Sequence, residues 1–327
     1  MKAYAAYAPE MKVLVMGLAQ AVRNDLLSHY RSPVYRQTSG LSPGGDTQFD
    51  IDQIAERTVW EYLRTHAHVP VALYTEDTSF RATGPQPEYV LVVDPIDGTR
   101  PASAQLEMAT VSIAVAPLRD GNPSIGDVVA AHVLEIKSGA WLYADTVSPG
   151  IDAAGYSHPV PSLSKNIDLD RMFWSIEFNG HPMRLMTHAY EHLVNRSANS
   201  GGVFIFNSAS FSITRLITGQ LDAYVDIGNR ILRDYPSTEQ DFREAGRGSV
   251  LHLFPYDIAA SVFLARRAGV TITDAYGDSL DGMLLLDLDP GNQRSCVAAS
   301  TPELHQALLS NIRWDALSVQ PMMGVRS

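Results

Sequence analysis

Residues Tyr89 to Thr99 read Y-V-L-V-V-D-P-I-D-G-T, and the rest of the chain is organised around them. Five apolar or aromatic residues rich in Val end at Asp94-Pro95, the pattern of a buried strand that runs into a loop. Pro95 fixes its own φ and biases Asp94 toward extended geometry, while Gly98 lets the chain turn, so Asp94 and Asp97 can converge on one point. Carboxylates held that close repel each other. A hard divalent cation such as Mg²⁺, which prefers oxygen ligands, is the usual reason for a chain to accept the repulsion. A helix-capping turn, in which Asp97 or Thr99 caps the next element, fits D-P-I-D-G equally well when it is taken alone.

Upstream, Met11 to Tyr30 carries a helical stripe of apolar residues that loosens into R-S-P-V-Y-R-Q-T-S-G-L-S-P-G-G, a segment expected to be a mobile loop. Asp46 then leads into an amphipathic helix whose inner face is Ile51, Ile54, Ala55, Val59, Trp60 and Leu63. Asp52 and Glu56 stand four residues apart on it, a spacing that by itself suits an exposed first turn favoured by the helix dipole. V-A-L-Y-T-E-D follows, a strand at Val71–Tyr74 that stops at Glu76 and Asp77.

Downstream come three β-like runs separated by turns, expected to be antiparallel neighbours. Thr146–Asn166 is rich in Pro, Ser and Gly and marks a subdomain boundary, so residues 1–150 are expected to form an α+β subdomain and 151–327 an α/β subdomain. A strand at Met172–Phe178, a helix at Met183–Val194, a strand at Val203–Phe206, a helix at Ser208–Thr218 and a strand at Asp222–Ile227 alternate as in an α/β layer. Asn229 to Gly248 is polar and charged, expected to be a surface excursion. A helix opened by Asp257 and closed by Gly269, two buried strands and a helix at Pro302–Ile312 complete the chain.

Composition narrows the classes. The 327 residues are 45% hydrophobic and 19% charged, with net charge -11 and pI about 5.3, which argues against a general binder of nucleic acid or of anionic membranes. Cys296 is the only cysteine, so neither an intrachain disulfide nor a Cys-rich zinc site is available, as suits a reducing cytoplasm. No stretch reaches the ~18 apolar residues of a membrane span, and no secretory signal is evident.

Glu76, Asp94, Asp97 and Asp257 thus all fall at element ends, where sites are commonly built. Y-T-E-D, V-V-D-P-I-D-G-T and Y-D-I-A-A-S-V-F-L-A-R-R-A-G-V-T-I-T-D together resemble, in order, the three signatures of the inositol monophosphatase family of Mg²⁺-dependent, commonly lithium-sensitive phosphatases. The similarity runs from Asp50 to Ser300. It implies the layered α-β-α-β-α sandwich of the inositol monophosphatase and fructose-1,6-bisphosphatase type. It implies that Glu76, Asp94 and the Ile96 carbonyl hold a first metal, that Asp94, Asp97 and Asp257 hold a second, and that a third, weaker ion lies near Glu76. Asp52 and Thr99 would activate the attacking water. Gly98 and Thr99 would open a phosphate cradle, with Ser208 and Ala209 near the substrate and Asp226 on a sugar or cyclitol hydroxyl; a solvated strand end is the plainer account of Asp226.

The resemblance further implies two to three Mg²⁺ ions, a small phosphorylated metabolite as substrate, and a homodimer. Inositol monophosphate, fructose 1,6-bisphosphate, adenosine 3′,5′-bisphosphate and histidinol phosphate are the substrates it offers. Three departures stand out: Tyr256 where the family usually has Trp, Arg100-Pro101 after Gly98-Thr99, and no Lys upstream of Asp52 nearer than Arg36. Arg100 is open to two accounts, an anion contact or a surface charge. Two other classes compete. His188 and His192 in H-A-Y-E-H stand one helical turn apart, as in inverted zinc peptidases, and would make a zinc hydrolase. A non-catalytic member of the same fold would have lost some of the acids that this chain keeps.

Overall fold

The computed structural model describes residues 2–315 except 31, 79, 119 and 120. Tyr89–Asp97 is a strand buried along its whole length, and it lies inside a seven-stranded sheet. Its neighbour Val71–Thr75 runs parallel to it with Thr75 opposite Val93. That register brings Glu76 and Asp94 out together at one end of the sheet. On the other side Thr110–Pro117 runs antiparallel, and Ala130–Glu135 and Trp141–Asp145 continue the meander as expected.

A five-stranded sheet is built from Phe173–Ile176, Gly202–Phe204, Ala223–Asp226, Thr271–Thr273 and Cys296–Ala299. The helices sort into three layers around the two sheets. Lys2–Ser28 and Asp50–His66 pack Leu18, Val22, Ile51 and Leu63 on one face of the first sheet. Ala209–Ile217 and Pro255–Ala268 lie between the sheets, where Ile213, Leu216, Ile258 and Val262 meet Val92 and Ala114 from one side and Tyr224 and Ala298 from the other. Met183–Ser197 and Pro302–Asn311 close the far face through Leu185, Tyr190, Leu304 and Leu308. The α-β-α-β-α sandwich is therefore the fold. Removing any one of these buried Leu or Ile side chains to Ala would cost about 2–5 kcal/mol.

Three local expectations change. The first helix starts at Lys2, nine residues before Met11, because buried Tyr4 and Ala8 extend its stripe through Pro9. The segment read as a mobile loop, of which Arg31 lies outside the described residues, forms a short 3₁₀ turn and a hairpin pairing Thr38–Leu41 with Thr47–Phe49. Its tip is closed by Ser42 and Asp46, whose backbones share a 2.8 Å hydrogen bond. The polar stretch from Asn229 to Gly248 is ordered as the helices Gly228–Asp234 and Glu239–Ala245, each anchored by a buried apolar residue, Ile231 and Phe242. Two apolar anchors suffice, and a composition that is otherwise polar hid them.

Candidate active site

Between Asp94 and Asp97 the strand advances three residues while its antiparallel partner advances two, from Ser112 to Thr110. This bulge bends the strand end and turns both acids toward the same pocket. Gly98 follows with φ +89°, and a Cβ there would lie 2.6 Å from the Met108 carbonyl and 2.8 Å from the Ser208 side chain. Both its backbone conformation and its surroundings demand glycine.

Asp52 and Asp257 are placed by one device used twice. Each is the third residue of its helix, and each accepts the backbone N–H of the phenylalanine before it, Phe49 to Asp52 Oδ2 at 2.8 Å and Phe254 to Asp257 Oδ2 at 2.6 Å. An acid so placed suits the helix N-terminus and keeps its second oxygen for other work. In Asp52 that oxygen accepts the Thr99 hydroxyl at 3.1 Å, and Thr99 Oγ1 also lies 3.0 Å from the Ile96 carbonyl. Glu56, read from spacing as part of an exposed turn, is mostly buried and accepts the Thr75 hydroxyl at 2.8 Å.

A single pocket is lined by Glu76, Asp94, Ile96, Asp97, Gly98, Thr99, Ser208, Ala209, Asp226 and Asp257, so every residue that the resemblance assigned to the site either lines it or, for Asp52, bonds to one that does. Asp97 does not cap the next element, the helix Thr99–Ser103, which starts without a side-chain cap; it holds the start of a distant helix instead. Its carboxylate accepts Ser208 Oγ at 2.6 Å, Ala209 N at 3.2 Å and Ser210 N at 2.6 Å, at the start of the helix Ala209–Ile217. Holding that helix and binding a metal are compatible: a carboxylate has about four lone-pair sites. Asp226 is not a solvated strand end, for it is fully buried and accepts Gly228 N at 3.2 Å.

Other parts of the pocket were not read from the sequence. Of the two accounts of Arg100 the anion contact holds, with a carboxylate of the chain itself: its two terminal nitrogens grip Asp46 at 3.0 and 2.6 Å. Burial works against the Asp46 charge, but this partner holds the carboxyl below its ordinary value. Glu177, Asn179, His181 and His252 also line the pocket. Glu177 follows a strand that runs parallel to Ala223–Asp226, so the rule that drew attention to Asp94 would have found it. His252 lies in an irregular stretch without such a signal.

The candidate zinc helix turns elsewhere. His188 Nε2 faces Asp315 at 3.1 Å and His192 Nε2 meets the Asn311 carbonyl at 2.6 Å. Both imidazoles hold the end of the C-terminal helix and the residues just after it against Met183–Ser197, and neither lines the pocket.

Electrostatically the pocket is strained. Burial, then Asp97, Glu76 and Asp257, push the Asp94 carboxyl well above its ordinary range, and burial and Asp257 do the same to Glu76. Asp97 is raised to about 6 by burial, against the pull of Ser208 and the helix amides. Among the described residues no three His, Cys, Asp or Glu side chains close on one point as a ready metal cage; the acids are spread along one wall. What fits a cation is the chemistry of the set: anionic oxygens only, with Glu56 Oε1 and Asp77 Oδ1 buried beside them and holding no hydrogen-bond partner. Hard divalent ions take such donors.

A pH dependence follows. Burial raises Asp52, Glu56 and Asp226 to about 7, from 3.8, 4.5 and 3.8. Between those values the folded chain keeps protons that the unfolded chain has released, so stability falls as pH rises through the window. Thermal melts in chelator should therefore show a lower Tm at pH 8 than at pH 5. A Tm that climbs across the same interval would contradict the raised values.

Among known proteins, residues 9–316 match the Inositol monophosphatase family. Two relatives named fructose-1,6-bisphosphatase/inositol-1-monophosphatase are similar over most of the chain. The one from Methanothermobacter thermautotrophicus is 26% identical, over 80% of this chain and 82% of its own. The one from Archaeoglobus fulgidus is 24% identical, over 84% and 87%. Among solved structures, the IMPase of Thermotoga maritima superposes with a TM-score of 0.65 at 18% identity, over 95% of this chain and 98% of its own.

Proposed function

The chain belongs to the inositol monophosphatase family, whose members are metal-dependent phosphoric monoester hydrolases, and from that premise we propose that it hydrolyses the phosphate monoester of a small polyol or sugar with the help of two to three Mg²⁺ ions. The observation that carries this reading is the parallel register of Val71–Thr75 with Tyr89–Asp97, which sets Glu76 beside Asp94 on the wall shared with Asp97 and Asp257. Glu76, Asp94 and the Ile96 carbonyl would hold one ion, Asp94, Asp97 and Asp257 a second, and Glu76 a third. When bound, such ions lower the pKa of a water and stabilise the charge that develops on the leaving oxygen.

The chain's own residues do the rest. The Thr99 hydroxyl, held between Asp52 and the Ile96 carbonyl, orients the attacking water, and Asp52 accepts the proton that passes through it. Gly98 and Thr99 offer backbone N–H groups to the phosphate. Ser208 and Ala209 flank the ester, and Asp226 takes a hydroxyl of the alcohol. A cytoplasmic homodimer is the setting we infer: Phe204 on the edge strand of the second sheet, Ile205 just after it and Phe173 on the neighbouring strand lie exposed, an apolar group that a second copy would cover. No helix among the described residues is long and apolar enough to cross a membrane.

Release of inorganic phosphate from a panel of esters, with Mg²⁺ and with chelator, tests the reading. We expect turnover of polyol monophosphates that chelator abolishes. Absence of release from every ester at any Mg²⁺ concentration would refute it.

A further inference from the structure

Away from the metal acids the pocket changes character. Glu177, His181, Asp226 and His252 all line it and all are buried. They are linked: His181 Nε2 lies 3.9 Å from Asp226 Oδ1 and 3.4 Å from His252 Nδ1, and Glu177 N bonds to the Val225 carbonyl next to Asp226 at 3.0 Å. A side chain at Gly228 would run into the His181 ring. The second nitrogen of His252 is buried and has no hydrogen-bond partner.

The polar stretch after Asp226 supplies the backing. Phe242, fully buried, presents its ring edge-on to His181 at 5.9 Å and to His252 at 5.1 Å. The helix Glu239–Ala245 is thus tied to the imidazole pair, and Phe242 acts as their positioning residue. Arg100 is the one Lys or Arg among the described residues lining the pocket, and Asp46 already takes both its terminal nitrogens.

Resting on the phosphatase reading, which already gives Asp226 a hydroxyl of the alcohol, we propose that Glu177, His181 and His252 complete around it a specificity subsite that turns away a second phosphate. Imidazole and carboxylate groups pair well with hydroxyls, each able to accept and the imidazole N–H able to donate. Burial keeps both imidazoles in the neutral form, their pKa values lowered. Above the raised Asp226 value of about 7, a second phosphate would meet carboxylate charge and no free cation, a like-charge contact that costs several kcal/mol. The subsite therefore separates polyol monophosphates from the bisphosphates handled on the same fold.

The test compares kcat/KM at pH 8, above the raised Asp226 value of about 7, and at saturating Mg²⁺ for myo-inositol 1-phosphate, fructose 1,6-bisphosphate and adenosine 3′,5′-bisphosphate. The monoester should lead by roughly a hundredfold or more. The double variant Glu177→Gln with Asp226→Asn removes the charges and keeps the acceptors for the amides of Phe178, Asn179 and Gly228; it should narrow the gap at least about tenfold through a lower KM for the bisphosphates. Phe242→Leu should raise KM for the monoester more than it lowers kcat. Bisphosphates turned over by the wild type as fast as the monoester, a gap unmoved in the folded double variant, or an unchanged KM in Phe242→Leu would each overturn the proposal. Hydrolysis of no ester at all would instead remove the phosphatase reading beneath it.

Discussion

Asp94→Asn should keep the fold and lose about a thousandfold or more in turnover, because loss of a mere supporting contact around a metal ligand already costs about 10–100-fold and Asp94 is the side chain assigned to both principal ions. The substitution preserves shape, and the amide oxygen can still accept the Ile96 N–H that Asp94 Oδ1 takes at 3.0 Å. What it removes is a negative charge among Glu76, Asp97 and Asp257. Two divalent ions at close range depend on anionic ligands to offset their repulsion, so Mg²⁺ affinity should fall with the rate. In chelator the variant should melt at a higher temperature than the wild type, by about 2–4 °C for each kcal/mol of repulsion relieved. Melts and phosphate-release assays across a Mg²⁺ titration read both effects. Near-normal activity at ordinary Mg²⁺ would show that Asp94 bridges nothing.

Asp52→Asn should lower kcat by roughly 10²–10⁴-fold, the usual contribution of a positioned general base, with smaller changes in KM and in Mg²⁺ affinity. The physical reason lies in how its oxygens are spent. Oδ2 accepts the Phe49 amide and Oδ1 accepts Thr99. In the variant the amide oxygen must stay with Phe49 to preserve the helix start, which turns the NH₂ toward Thr99 and reverses that hydrogen bond. Thr99→Ser keeps the hydroxyl and should retain most activity, whereas Thr99→Val should resemble Asp52→Asn. If Asp52→Asn instead raised the Mg²⁺ requirement with kcat intact, Asp52 would be a metal ligand and not the base.

The fold was legible because its central strand is written plainly: an unbroken apolar run that stops at Asp94, beside a second run that stops at Glu76. Strands without such punctuation blurred. Phe173–Ile176 is shorter than the apolar pattern around it, and Asp152–Ala154, within the supposed boundary segment, adds a strand to the first sheet. Site residues at element ends were found for the same reason that Asp94 was. Those missed depend on tertiary meetings that no local pattern records: Asp46 at a hairpin tip finds Arg100, and His252 in an irregular stretch finds His181. The burial of Glu56 is a case of context overriding spacing. Its acidity read as solvation, yet the Thr75 hydroxyl waits for it beneath the helix.

The hydrogen bonds from Ser208, Ala209 and Ser210 to Asp97 tie the end of the first sheet to a helix that leads into the second. The same carboxylate is assigned to a metal, so a single side chain answers to two kinds of selection. A substitution there would be punished as a broken cap, worth about 0.5–2 kcal/mol, even in a lineage that had given up catalysis. Recombination meets the same constraint: a second half borrowed from a relative would join only if its helix began at the right place to greet Asp97. Asp257, which holds its own helix start through the Phe254 amide, shares that burden, whereas Glu76 can drift once activity is relaxed. Asp97 and Asp257 should be the last of the pocket acids to go, and their retention in a sequence is weak proof that the sequence still encodes an enzyme.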